Sequence, residues 1–254
     1  MKIGLMGGMT EEISGIMEQI KTSRVTRVGN RDFIEGSWRG LDVVVVFSRW
    51  GKVAAAVTAT ILLQQFGVDG IFFVGVAGAV DPSLNVGDIV IATDLIQHDM
   101  DASAVPPLSR FEIPLLGRSR FPSDGFWMSA ALSAANSFVA QDFEASIDHE
   151  HRRSFGIGTP KVVSGLIATG DRFVADGALL QELRQALPDL RCLEMEGAAV
   201  AQACFELGKP FAVARIISDR ADHGAPIDFQ KFIEKVSSLM GLGIASYFIK
   251  AIVR

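Results

Sequence analysis

Apolar residues in this chain fall into short uninterrupted blocks separated by stretches of helical period. That alternation predicts strands buried on both faces between covering helices. Lys2–Gly8 reads as a buried strand ending in a Gly-Gly turn, and Thr10 reads as the cap of a helix with Ile13, Ile16 and Met17 at helical spacing. Arg27–Trp38, punctuated by Gly29, Asn30 and Gly36, reads as short strands or a hairpin. Leu41–Ser48 contains four consecutive valines and is the strongest strand signal; Gly70–Val76 is a second fully buried strand, with the alanine-rich helix Lys52–Phe66 between them. Further along, Ile89–Thr93, Lys161–Ala168, Arg191–Glu194 and Phe211–Ile217 read as strands. Trp127–Val139, Gly177–Leu187, Gly197–Leu207 and Phe229–Val253 read as helices. The order predicts an α/β sandwich with a parallel-sheet interior.

One segment breaks the alternation. His98–Ser123 holds Pro106, Pro107, Pro114 and Pro122 and is predicted to be a long irregular excursion. Loops of that length inside a compact domain are usually functional or interfacial.

Composition narrows the partners. The chain has 254 residues, 49% apolar and 21% charged, which fits one packed domain over residues 1–254. A net charge of -5, from 24 basic against 29 acidic residues, argues against nucleic acid or an acidic membrane as partner. The longest near-apolar run, Val53–Leu63, is too short to cross a bilayer, and Glu11 and Glu12 follow so soon after the first residue that no signal peptide is expected. Cys192 and Cys204 lie in apolar stretches and read as reduced core thiols, which fits a cytoplasmic protein.

Several general motifs are missing: G-x-G-x-x-G after a strand, G-x-x-x-x-G-K-[ST], and the G-x-S-x-G elbow. The cluster Asp148-His149-Glu150-His151, followed by Arg152 and Arg153, reads as a solvated charged loop and not as a metal site, because no spaced second ligand pair supports it.

The candidate chemistry lies at strand ends, where open α/β sheets bind ligands. Glu11 and Glu12 follow the first strand; Gly75–Gly78 ends another without bulky polar side chains, which allows close backbone approach at Val76, Ala77 and Gly78. Glu194-Met195-Glu196 ends a third, and Ser218-Asp219 a fourth, with Arg215 just inside. Any one carboxylate could be a helix cap. Several at separate strand ends suit acid/base cleavage of a glycosidic bond, where positive charge develops on the sugar.

These residues resemble the 5′-methylthioadenosine/S-adenosylhomocysteine nucleosidase family of the nucleoside phosphorylase superfamily. The resemblance runs in order through Met1–Glu12, Gly51-Lys52-Val53-Ala54, Gly75-Val76-Ala77-Gly78, His98-Asp99-Met100-Asp101, Gly170–Val174, Glu194–Ala198 and Arg215–Asp222. It implies a three-layer α/β/α sandwich around a central mixed, mostly parallel twisted sheet. It implies a hydrolase that releases adenine from 5′-thio-substituted adenosines without metal or organic cofactor. Glu12 would activate the attacking water. Glu196 would hold the ribose hydroxyls, with Glu194 beside it, Met195 packing under the sugar, and Arg215 near the water and Glu196. Phe173 would wall the adenine pocket, and the Val174 backbone would read the adenine edge. Asp219 would protonate the purine at N7, with Ser218 beside it, and Phe229 would close over the nucleoside. The resemblance also implies a homodimer in which residues 98–123 approach the partner's site. The chain departs from many members at Val76, where a hydroxyl residue is common, and at Thr169, where serine is frequent.

Three other readings share this fold. A phosphorolytic purine nucleoside phosphorylase needs basic groups for a phosphate dianion, and Phe73-Val74-Gly75-Val76 offers none. A futalosine-type nucleosidase is the closer alternative. A non-catalytic nucleoside binder is disfavoured by having Glu12, Glu196 and Asp219 together.

Overall fold

A computed structural model of the chain describes residues 1–174, 177–219 and 232–253. The elements are β1 (Lys2–Gly7), α1 (Thr10–Gln19), β2 (Lys21–Val28), β3 (Arg31–Trp38), β4 (Leu41–Phe47), α2 (Lys52–Gln64), β5 (Gly70–Ala79), β6 (Ile89–Gln97) and β7 (Arg120–Pro122). They continue with α3 (Gly125–Gln141), α4 (Phe143–Ser146), α5 (His149–Ser154), β8 (Val162–Thr169), α6 (Gly177–Ala186), β9 (Leu190–Glu194), α7 (Gly197–Glu206) and β10 (Phe211–Asp219). A π-helical turn, Ile233–Ser237, runs into α8 (Ser238–Ile252).

The strands form one sheet in the order β10-β6-β8-β9-β5-β1-β4-β3-β2, with β7 on β6. The sheet is mixed, as expected, but not mostly parallel. Pairs β1–β4, β1–β5, β5–β10, β6–β8 and β8–β9 are parallel; β2–β3, β3–β4, β5–β9, β6–β7 and β6–β10 are antiparallel. It also differs from an open sandwich layer: β10 pairs with both β6 and β5, so β5, β10, β6, β8 and β9 close into a ring. Closure leaves no unpaired edge within the ring, while β2 remains the edge strand of the extension.

Both faces of the central strands are buried, which is why those strands lack alternation. Along β5, Phe72, Val74 and Val76 point into a core shared with α1, α3 and α8, while Ile71, Phe73 and Ala77 point into one shared with α2 and α7. The rings of Phe72 and Phe248 stack with centroids 4.0 Å apart. A third cluster seats Leu180 and Leu183 of α6, with Leu187 just beyond it, on Leu166 of β8 and Leu190 of β9.

Four details correct the sequence reading. Thr10 is the first helical residue, not the cap; Met9 holds that position, in extended conformation. The hairpin starts at Lys21: β2 is almost wholly exposed and has no apolar face to announce it, and its register is imposed by pairing with β3. β5 and β6 run on to Ala79 and Gln97. Residues 98–119 hold only isolated bridges, Asp101 with Arg110 and Ile113 with Arg118, before β7. Phe111 and Ile113 of this segment are buried in their own chain, whereas Leu115 stands fully exposed. The Asp148–His151 cluster opens the short helix α5, with Asp148 accepting from the His151 backbone N–H at 2.8 Å. Among the described residues no helix is long and apolar enough to cross a membrane.

Candidate active site

The strands bring the candidate residues together by register. Met6 of β1 lies beside Phe73 of β5, so Gly7 and Gly8 emerge next to Gly75. β5 and β9 run in opposite directions but overlap only at their carboxyl ends, with Gly78 opposite Leu193. Thr169, the last residue of β8, pairs with Glu194. On β10 the register with β5 slips between Ile217 and Asp219, and that irregularity turns Ser218 and Asp219 toward the same place. Over these ends lies a cleft of about 620 Å³, counted with its open mouth. Glu12, Glu194, Met195 and Glu196 line it together with Phe173, Val174, Ser218 and Asp219, and with Val76, Ala77 and Gly78.

Glu12 is fixed by backbone donors. Its Oε2 accepts from the N–H groups of Gly8 and Met9 at 2.6 and 3.0 Å, and its Oε1 from that of Val76 at 3.0 Å. Burial raises the carboxyl pKa, against the Arg215 charge and these three N–H groups. Gly75 makes room for it: a Cβ there would sit 2.8 Å from Glu12 Oε1 and 3.1 Å from Arg215 Nη1. Gly8 separates Glu12 from Glu196, since a Cβ at Gly8 would lie 3.3 Å from Glu196 Oε2 and 3.4 Å from Glu12 Oε2. Two carboxyl groups therefore face one small volume.

Glu196 Oε1 accepts from the Gly51 N–H at 2.9 Å. Burial first, then the neighbouring Glu194 carboxylate, push its pKa from the ordinary 4.5 up to about 8. Between those values the folded chain keeps a proton that the unfolded chain releases. The contribution of Glu196 to stability is full below about pH 4.5 and is lost as pH rises through about 8. Glu196→Gln is expected to flatten that decline, measured as urea midpoints at about pH 5 and about pH 8. The same loss in both proteins would contradict the assignment.

Glu194 and Arg215 are bonded to each other. Glu194 reaches the cleft wall, but its carboxylate is occupied: Oε2 accepts from Arg215 Nη2 at 2.7 Å and from the N–H groups of Glu196 and Gly197 at 3.0 and 2.7 Å, and Oε1 accepts from the Thr169 hydroxyl. Thr169 Oγ1 accepts in turn from the Ala198 N–H at 2.8 Å, so the threonine does what a serine hydroxyl would. Arg215 is buried behind the wall and does not line the cleft. Its guanidinium lies 4.0 Å from the Phe73 ring centroid. Burial opposes its charge, but Glu194 and Glu12 outweigh that and raise its pKa. It is therefore a fixed counter-charge to the carboxylates.

Asp219 is buried and accepts from the Ser218 hydroxyl at 2.7 Å. Phe173 is partly exposed at the mouth and Val174 is buried beneath it. Phe229 lies outside the described residues. Cys192 and Cys204 are buried thiols whose pKa burial raises, that of Cys204 to about 12, so neither is a nucleophile.

The sequence reading missed several lining residues: Gly8, Met9, Trp50, Arg172 and Leu193. It also missed the Gly51 N–H. The signal was present in the Gly7-Gly8 turn and in Gly51-Lys52, where a φ of 92° at Gly51 requires glycine.

Comparison with known proteins agrees with this geometry. A family model described as "Phosphorylase superfamily" matches residues 2–247. The 5′-methylthioadenosine/S-adenosylhomocysteine nucleosidase of Anoxybacillus flavithermus is 38% identical over 93% of this chain and 93% of its own length. The nucleosidase of that name from Neisseria meningitidis, solved with methylthio-immucillin-A, superposes with a TM-score of 0.86 at 31% identity, covering 98% of both chains. The futalosine hydrolase of Helicobacter pylori superposes with a TM-score of 0.81 at 30% identity, covering 99% of this chain and 97% of its own. With that identity sustained along nearly the whole chain, and with the strand-end carboxylates brought into one cleft, this chain belongs to the 5′-methylthioadenosine/S-adenosylhomocysteine nucleosidase family of the phosphorylase superfamily.

Proposed function

We propose that the protein hydrolyses the N-glycosidic bond of 5′-methylthioadenosine and S-adenosylhomocysteine, giving adenine and the 5-thioribose product. Residues 1–254 act as one nucleosidase domain. Water is the nucleophile: Glu12 takes its proton as the oxygen bonds to C1′, and the C1′–N9 bond breaks. Asp219 delivers a proton to N7, so adenine leaves neutral. Carboxyl oxygens beside the sugar face the positive charge that develops on it. Glu196 receives the ribose hydroxyls over Met195, and Phe173 with the Val174 backbone receives the base.

The observation that carries this reading is the pair of carboxyl groups, Glu12 and Glu196, facing the same small volume at Gly8. A neutral water is accepted there. A phosphate dianion would instead crowd against the carboxyl oxygens of Glu12 and Glu196, and Arg215 is already bonded to Glu194. Turnover of the two nucleosides and of futalosine should therefore be measured with and without phosphate. Phosphate-independent release of adenine from the two thio-nucleosides is expected; strict phosphate dependence would overturn the hydrolase reading, and selective cleavage of futalosine would reassign the substrate.

The same proposal places the enzyme in the cytoplasm as a homodimer, with residues 98–123 near the partner's site. Its support is the fully exposed Leu115 and the exposed Val105 in that segment. Sedimentation at micromolar concentration is expected to give a dimer, and a fully active monomer would contradict this.

A further inference from the structure

Three segments flanking the cleft arrive from distant parts of the chain: Trp50-Gly51-Lys52 leading into α2, Gln97-His98-Asp99 leaving β6, and Asp171–Val174 following β8. One closed set of polar contacts joins them. Lys52 Nζ donates to Asp99 Oδ1 at 2.6 Å and to Gln97 Oε1 at 3.2 Å, and lies 3.8 Å from Asp171 Oδ2. Asp99 Oδ2 accepts from the Asp171 backbone N–H at 2.9 Å, and Asp171 Oδ1 accepts from the Lys52 backbone N–H at 2.7 Å. Gln97 Nε2 extends the set to Gln202 Oε1 on α7, at 2.7 Å. Lys52, Asp99 and Asp171 all stand outside the cleft lining.

We propose that Asp99 is a positioning residue that sets both ends of the nucleoside site at once, a proposal that rests on the nucleosidase reading. Through Lys52 it holds Gly51 where its N–H meets Glu196, on the sugar side. Through the Asp171 N–H it holds the segment that carries Phe173 and Val174, on the base side. The two loops are tied directly as well: Asp171 Oδ1 accepts from the Lys52 N–H, and it lies so near that a Cβ on Gly51 would sit 3.0 Å from it. A half-exposed ion pair by itself contributes little to stability. Its effect here is geometric, because binding groups displaced by about 1 Å lose productive contacts steeply.

The test is Asp99→Asn, which keeps shape and removes the charge that holds Lys52. KM for methylthioadenosine is expected to rise about tenfold, with kcat within about twofold and the melting temperature unchanged. Lys52→Met should give the same rise, the double variant no further rise, and Lys52→Arg a return toward the parent value. Asp32→Asn, which breaks the exposed Arg27–Asp32 pair at 3.6 Å, should leave KM alone. Exchange of the Gly51 amide hydrogen should quicken in Asp99→Asn, a readout independent of turnover. Unchanged KM and unchanged exchange would overturn the proposal. So would a lowered melting temperature with KM unchanged, which marks a structural role only. If the parent protein cleaves no nucleoside, the functional reading fails instead, and the Gly51 exchange rate still decides whether Asp99 positions Gly51.

Discussion

Replacing Glu12 by Gln is expected to lower turnover by about a hundred- to ten-thousand-fold, the usual range for loss of general acid–base catalysis. Two effects combine. Gln cannot take the water proton, and its amide cannot satisfy the surroundings that the carboxylate satisfies. Both oxygens of Glu12 face backbone donors, Gly8 and Met9 on one side and Val76 on the other. Whichever way the Gln amide is turned, its NH₂ faces at least one N–H, and an unsatisfied buried donor costs about 1–3 kcal/mol. The variant should therefore lose stability as well as activity, and unfolding midpoints must accompany the kinetics. Glu12→Gln with near-parent turnover would remove Glu12 as the base.

Asp219→Asn is expected to give a comparable loss of kcat, about a hundred-fold at least, but with little change in stability. The difference lies in the surroundings. The Ser218 hydroxyl donates to Asp219 Oδ2, and the Asn side-chain oxygen can accept the same bond. What Asn cannot do is deliver a proton to N7. Affinity for a non-hydrolysable adenine nucleoside analogue should change far less than kcat. If Asp219 merely caps its loop, Asn caps it as well and turnover stays near normal; that result would exclude it from the mechanism.

Much of this site was legible in the sequence because the strands that build it are unbroken apolar blocks whose ends carry either a carboxylate or a glycine-rich turn. Lys2–Gly8, Gly70–Val76, Arg191–Glu194 and Phe211–Ile217 all appear as strands, and their ends do meet. The ring closure was not legible, since nothing in Phe211–Ile217 states that β10 will pair with both β5 and β6. Strand pairing is a long-range property that local pattern does not encode. Nor could spacing assign Arg215 to Glu194; only the register of β10 against β5, with Arg215 beside Gly75, turns the guanidinium inward. β2 was hidden for the opposite reason, because Lys21, Thr22, Ser23 and Arg24 are exposed and carry no apolar period. Trp50 and the Gly51 N–H escaped because one is a mouth residue and the other acts through its backbone.

The most direct test of the central claim is to run the reaction with methylthioadenosine in ¹⁸O-labelled water containing phosphate, and to weigh both products. Hydrolysis predicts one ¹⁸O atom at C1 of free 5-methylthioribose, unlabelled adenine, and no sugar phosphate. An unlabelled sugar 1-phosphate, or no adenine released, would contradict the account.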